Sequence, residues 1–331
     1  MDNPIKVIHK YKNENRKIQY QYFIFVGSLI SSSIKKILKK IDIYKTNQID
    51  GSWTGVISKF LYKKPLIIRA GYIQTLNFKR QNVFKIKQSI YQIFERVAFV
   101  NANAIHLTSE KSKEYIVSNY SVKSSKISIL KNYINTSAFY PSNKNKSIDR
   151  ILYVGRLSEE KNLLNLIDAC NVLSIGLDIY GAGNLFKKIN DYIFKKHADV
   201  IFKGVVPNLE LPDIYNKYQY YILPSLYEGM PKTLLEAMAC GCVCIGTNVP
   251  GINEIVIDGE NGILAKSPSQ NAIVQSIKKA INCNRHLIAT NAVSLINKEY
   301  SLINIVEKEK QIPLFENNSS SKIPPLSLLN S

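Results

Sequence analysis

The sequence predicts an α/β protein with parallel sheets, divided into two domains. Three observations predict it. The chain has 331 residues, enough for two cores. Between Ile151 and Ala265, apolar runs of a few residues alternate with segments of helical periodicity, the pattern of strands buried on both faces. A polar, charged stretch, Pro141 to Asp149, has the composition of a linker and precedes a clear strand. The expected organisation is a domain over 1–140, a linker over 141–149, a second domain over 150–300, and a C-terminal helix and tail over 301–331.

Composition narrows the class. Hydrophobic residues make up 45% and charged residues 21%, which excludes a largely disordered chain. The longest apolar run near the start, Tyr22 to Ile30, falls well short of the ~20 residues that cross a bilayer. A charged n-region, apolar h-region and cleavage site do not occur in order. Five cysteines in so long a chain make no disulfide framework and suit a reduced, cytoplasmic setting. The net charge of +19 is lopsided: residues 1–150 hold 27 Lys and Arg against 8 Asp and Glu, while 151–331 hold 17 of each. Such a basic half suits nucleic acid, an anionic membrane or an acidic substrate, and also follows from codon bias towards Lys, Asn and Ile.

In the first region, Tyr22–Val26 reads as a strand, Ser33–Ile41 as a basic helix, Pro65–Arg69 as a strand and Lys85–Asn101 as a long helix. Ala104–Thr108 reads as a strand followed by a helix capped at Ser109, and Ile127–Leu130 as a further strand. In the second region strands are expected at Ile151–Gly155, Leu177–Tyr180, Asp199–Phe202, Tyr220–Leu223, Val243–Gly246 and Gly262–Ala265. Helices are expected at Glu159–Val172, Leu185–Phe194, Leu209–Tyr218 and Pro231–Ala239. From about Gln311 the chain is rich in Ser, Asn and Pro. Ligands of such sheets lie at the carboxyl ends of the strands.

The strongest chemical signal is Glu228 and Glu236 with seven residues between them. Pro231 starts a helix without wasting a donor, and the N–H groups of Lys232, Thr233 and Leu234 then form an anion site at the helix end. Glu236, in the same helix, suits the two hydroxyls of a ribose. Glu228 precedes the helix, at a strand end where substrate lies. By residue type alone, the same residues read equally as an acidic helix start. Arg156 at a strand end and Lys161 in the first turns of the next helix suit a diphosphate; taken alone they are two of 44 cations. Gly181-Ala-Gly183 reads alone as a turn. Cys240, Cys242 and Cys244 have no nearby His and read as buried small residues rather than a metal cluster. Lys35, Lys36, Lys39 and Lys40, with Ile34, Ile37, Leu38 and Ile41, form a basic amphipathic stretch. It fits either a solvated face or anionic lipid headgroups.

These elements occur in one order: Gly155-Arg156 with Lys161-Asn162, then Tyr180 to Gly183, Phe202 to Gly204, Pro224 to Gly241, Pro250-Gly251, Glu254 and Asp258 to Gly262. That set, dense from Ile151 to Ala265, resembles the retaining, nucleotide-sugar-dependent glycosyltransferases of family four. The resemblance implies a GT-B architecture, two facing Rossmann-like domains, the second binding the donor and the first the acceptor. It implies that Arg156 and Lys161 hold the diphosphate and that Glu236 holds the ribose. Glu228 would face the donor sugar; Gly229, Met230, Pro231, Lys232, Thr233 and Leu234 would contact sugar and phosphate; Gly204 and Val206 would flank the base. Glu228, Arg156 and Lys161 are the catalytic candidates. No metal or other cofactor is implied, because two cations can stabilise the leaving diphosphate. The implied partners are a nucleotide sugar, a glycan or lipid-linked acceptor and an anionic membrane met peripherally at its inner face through the basic half, with no nucleic acid. The first half resembles the family more loosely. It lacks the family's glycine-rich loop near the start, which suggests truncation there. Arg69, Gly71 and Tyr72 stand where many members have a His, and are the acceptor-side candidates. The competing expectations are a degenerate relative that binds donor without turnover and a nucleic-acid binder driven by the basic half.

Overall fold

A computed structural model describes residues 36, 38–80, 84–142 and 146–312. The expected strand at 22–26, residues 33–35 and 37 of the expected 33–41 helix, and the tail from 313 lie outside the described residues. Of the 33–41 stretch, residues 36 and 38–40 are helical, with Leu38 buried and Lys36, Lys39 and Lys40 exposed. The chain forms two compact units, residues 1–106 with 114–127, and residues 107–113 with 128–331.

The first sheet has four strands in the order β1-β2-β3-β4: β1 (Tyr44–Thr46), β2 (Leu66–Ala70), β3 (Ala104–Leu107) and β4 (Ile127–Ile129). β1 and β2 run parallel, Tyr44 opposite Leu66. Its helices are α1 (Ser52–Tyr62), α2 (Gln74–Arg80), α3 (Lys85–Asn101) and α4 (Glu110–Tyr120). α3 has the bounds the periodicity predicts. Ser109 takes the capping position, its hydroxyl accepting from Ser112 N at 3.3 Å.

The second sheet has six strands in the order β10-β9-β8-β5-β6-β7, and neighbouring strands pair parallel. They are β5 (Ser147–Val154), β6 (Gly176–Tyr180), β7 (Val200–Gly204), β8 (Tyr218–Leu223), β9 (Val243–Thr247) and β10 (Ile263–Ala265). Its helices are α5 (Leu163–Leu173), α6 (Phe186–Lys196), α7 (Leu211–Tyr215), α8 (Lys232–Ala239), α9 (Gln270–Asn282), α10 (Arg285–Leu295) and α11 (Leu302–Lys310). Every residue of β9 is buried, as strands covered on both faces require. Cys240, Cys242 and Cys244 pack within this core, Cys242 Sγ donating to Tyr215 O at 3.2 Å. The cluster is structural filling.

Three boundaries differ from expectation. Residues Glu159–Lys161 form a 3₁₀ turn, Asn162 takes a left-handed φ of 56°, and α5 starts only at Leu163. The expected single helix 159–172 is therefore broken, because Asn162 tolerates the left-handed conformation, in which its side-chain amide donates to two carbonyls. The expected helix 209–218 shrinks to a 3₁₀ turn and the five-residue α7, and Tyr218 already belongs to β8. There its hydroxyl reaches buried Asp178 on β6 at 2.5 Å, a contact that holds it in the sheet. The division between units falls at Ile127/Ser128, ahead of the composition-based linker at 141–149, whose last residues already lie in β5. Segment 130–140 packs with the second unit: Ile134 bridges Ser301, and Asn132 bonds Met230.

Candidate functional site

The strand order places the site. From β5 the chain adds β6 and β7 on one side, then returns to add β8, β9 and β10 on the other. The crevice between the carboxyl ends of β5 and β8 is thus the topological switch point, where ligands of doubly wound sheets bind. Gly155 and Arg156 leave β5 there, and Pro224 to Gly229 leave β8.

Lys161 and Glu228 meet in this crevice. Lys161 Nζ donates to Glu228 Oε1 at 2.5 Å, and both side chains are nearly buried, 12% and 11% exposed. Ser225 Oγ donates to the same oxygen at 2.6 Å. Lys161 sits in the 3₁₀ turn rather than the expected helix, and Asn162 fixes that turn. Its amide Nδ2 donates to Pro224 O at 3.1 Å and to Pro268 O at 2.7 Å, and Leu226 N donates to Glu160 O at 2.8 Å. The loops after β5 and β8 are therefore stitched together. Arg156 points outward, its side chain 80% exposed and 3.4 Å from Glu160 Oε1, an oxygen that also accepts from Ser158 Oγ. Beneath them Tyr153, buried, donates its hydroxyl to Arg156 O at 2.8 Å. Burial and then the nearby carboxylates of Glu228 and Glu160 push that phenol far above its ordinary range.

The loop from Glu228 leads into α8. Gly229 is exposed, whereas Met230 and Pro231 are buried. Asn132 Nδ2 donates to Met230 O at 2.7 Å and holds the loop from behind. Pro231 is the residue before the helix, with φ −72° and ψ 118°, and no side chain caps the helix start. Lys232 is exposed, its ammonium 5.3 Å from the Tyr133 ring. Thr233 Oγ1 accepts from Tyr221 at 2.8 Å, and Leu234 is fully buried. Glu236 is only 5% exposed, and its Oε2 accepts from the Tyr215 hydroxyl at 3.0 Å. Burial raises its pKa from 4.5 to about 7; the Tyr215 hydrogen bond and the Lys232 charge oppose that shift.

Gly181 and Gly183 serve the protein itself. Gly181 has φ +140°, and a Cβ there would lie 1.9 Å from Gly155 O. Gly155 N donates to Tyr180 O and Leu157 N to Ala182 O, so these glycines let two loops run backbone to backbone. Gly204 and Val206 leave the same sheet edge at β7, two strands or about 10 Å from β5. In the first unit, Arg69 lies on β2, and Gly71 and Tyr72 follow its carboxyl end before α2. Among the described residues no group of three or more His, Cys, Asp or Glu could hold a metal ion.

Residue types alone marked Arg156, Lys161, Glu228 and Glu236. They did not reveal that Lys161 and Glu228 pair, nor the roles of Asn162, Ser225, Asn132 and Tyr215. The one available signal was Asn162, a residue type that tolerates a left-handed turn.

The geometry is that of a GT-B protein, and solved structures agree. Sucrose-phosphate synthase of Thermosynechococcus elongatus superposes with TM-score 0.78 at 19% identity, covering 89% of this chain and 79% of that one. HepE of Anabaena, solved with UDP, superposes with TM-score 0.72 at 17% identity over 84% of this chain and 80% of that one. Within that fold, residues 136–294 match the family model described as glycosyl transferases group 1. An uncharacterized glycosyltransferase of Methanocaldococcus jannaschii is 34% identical over 132 residues, 40% of this chain and 38% of that protein. The UDP-Gal:alpha-D-GlcNAc-diphosphoundecaprenol alpha-1,3-galactosyltransferase of Escherichia coli is 24% identical over 85% of this chain and 77% of its own length.

Proposed function

We propose that the protein is a retaining glycosyltransferase. It would move a sugar from a nucleotide-sugar donor to a glycan or lipid-linked acceptor in cell-surface polysaccharide assembly. The observation that carries this reading is the meeting of Lys161, Glu228 and the uncapped start of α8 at the β5/β8 switch point. The relatives' names support the substrate class: one acts on a diphosphoundecaprenol-linked sugar, and another, of Staphylococcus aureus, is a capsular polysaccharide biosynthesis glycosyltransferase.

In this reading Arg156 and Lys161 take the diphosphate, and the N–H groups at the start of α8 add to the positive field. Glu236 takes the ribose hydroxyls, with Gly204 and Val206 beside the base. Bond cleavage leaves the glycosidic electron pair on the diphosphate oxygen, where the two cations stabilise it. The acceptor hydroxyl attacks from the same face and gives its proton to that leaving phosphate. No carboxylate nucleophile and no metal are needed, and Glu228 orients Lys161 and the sugar. Arg69, Gly71 and Tyr72 belong to the acceptor side. The enzyme would work in the cytoplasm, at the inner face of the membrane.

Thermal shift against UDP, GDP, ADP and their sugars, with and without EDTA, tests the donor site. One nucleotide should raise the melting temperature of the wild type, with EDTA present, and do so far less for Arg156→Ala or Glu236→Ala. No stabilisation of a folded sample by any donor would sink the proposal.

A further inference from the structure

The long helix of the first unit is inside out. α3 buries its one acid, Glu95, whose carboxylate accepts from Thr75 N at 3.1 Å, Thr75 Oγ1 at 2.6 Å and the Tyr120 hydroxyl at 2.5 Å. Ala98 and Phe99 flank it on the inward face. The outward face is apolar. Ile86, Ile90, Ile93, Phe94, Val97 and Val100 are 45–77% exposed. At about 100° per residue they fall within an arc of about 120°, roughly opposite Glu95. Exposed cations border the stripe: Lys87 on one side, Lys85 and Arg96 on the other. α3 has 17 residues, and the stripe from Ile86 to Val100 is about 21 Å long. Lys59 Nζ of α1 donates to Asn101 O at 2.7 Å, which brings exposed Phe60 and Leu61 to the end of the same helix.

We infer that this face of α3 docks on an anionic lipid surface, lying in the headgroup plane with the apolar stripe inserted and the cations on the phosphates. Charge selects this occupant. The half of the chain that carries α3 has a net charge of +19, and no exposed acid interrupts the stripe. A second copy meeting it by the same face would set like charges against each other, whereas anionic headgroups neutralise them. No described helix is long and apolar enough to cross a membrane, so the contact is interfacial. The inference deepens the lipid-linked-acceptor reading and rests on it for its purpose, since the acceptor would be met at the surface that α3 binds.

The test uses the full chain and sedimentation with vesicles of phosphatidylglycerol and phosphatidylcholine in equal parts, at low and at high salt. The wild type should bind these vesicles, bind pure phosphatidylcholine at least tenfold more weakly, and lose affinity as salt rises. Ile93→Glu/Val97→Glu, at exposed positions, should lower binding at least tenfold while keeping the wild-type circular dichroism. Lys36→Glu/Lys39→Glu/Lys40→Glu serves as the comparison. Three results overturn the inference: no binding by the wild type, equal binding by Ile93→Glu/Val97→Glu, or a wild-type dimer that this variant disperses. Nucleotide thermal shift on the same samples keeps the two proposals separate, because α3 is remote in sequence from the donor residues. Loss of vesicle binding with the nucleotide response intact concerns α3 alone.

Discussion

Removing the Lys161 ammonium should destabilise the second unit through the charge it leaves behind. Lys161 and Glu228 are 2.5 Å apart and almost fully shielded from water. At an effective dielectric near 20, two charges at that distance attract by about 7 kcal/mol. Desolvation offsets most of it, so the pair contributes little net against an apolar replacement. Removing one partner is different, because the other stays buried and uncompensated at about 3 kcal/mol. Lys161→Met leaves the Glu228 carboxylate with the Ser225 hydroxyl donating to it, so about 3 kcal/mol is expected. Glu228→Gln keeps an amide oxygen for Lys161 and should cost about 1 kcal/mol. The double variant should cost no more than about 1.5 kcal/mol, which gives a coupling of at least about 2.5 kcal/mol in the cycle. Urea unfolding followed by circular dichroism measures all four proteins. Trp53, the one tryptophan and part of the first unit, gives a separate fluorescence transition. Additive effects of the two substitutions, with a coupling below about 0.5 kcal/mol, would refute the reasoning.

Three further outcomes follow from the same geometry. Glu228→Gln removes a negative charge from beside Lys161, so UDP should bind up to about tenfold tighter while transfer falls, measured by calorimetry and product formation; weaker UDP binding would contradict this. The Glu236 pKa is raised from 4.5 to about 7, above its unfolded value, so its contribution is full below about pH 4.5 and is lost as pH rises to about 7. That loss is about 3 kcal/mol, and Glu236→Gln should flatten it in pH-dependent unfolding; parallel curves for the two proteins would exclude it. Gly181→Ala forces a Cβ against Gly155 O and should cost more than about 2 kcal/mol, whereas Gly204→Ala has open space and should cost about 1 kcal/mol for its φ of +75° alone. Equal melting temperatures for the two variants would show that the loops give way.

The second sheet was largely legible because its strands are buried on both faces, which leaves apolar runs such as Val243–Gly246 that no other element shares. α3 was legible from its period, but not its orientation. Periodicity finds two faces and does not say which is inside when an acid such as Glu95 finds three buried donors. The break at Asn162 was hidden because Glu159–Lys161 and Leu163–Leu173 read as one helix, and only the two carbonyls of Pro224 and Pro268 explain the left-handed residue between them. The Lys161–Glu228 pair spans 67 positions. Such a pairing follows from the order of β5 and β8 in the sheet, which the sequence of elements alone does not state. Arg156 was found as a residue type, while its outward direction depends on the loop packed beneath it.

The buried thiols of the second core have a consequence for handling the protein. Cys170, Cys240, Cys242 and Cys244 are buried, and burial pushes each thiol up, Cys170 to about 12. They stay protonated at neutral pH and out of reach, so an alkylating reagent added to the native protein meets Cys283 first, and even that thiol is raised and donates to Ala280 O. The other four sulfurs become available only when the core opens. Their slow labelling would therefore keep time for the core, each modified molecule marking one visit to an open state.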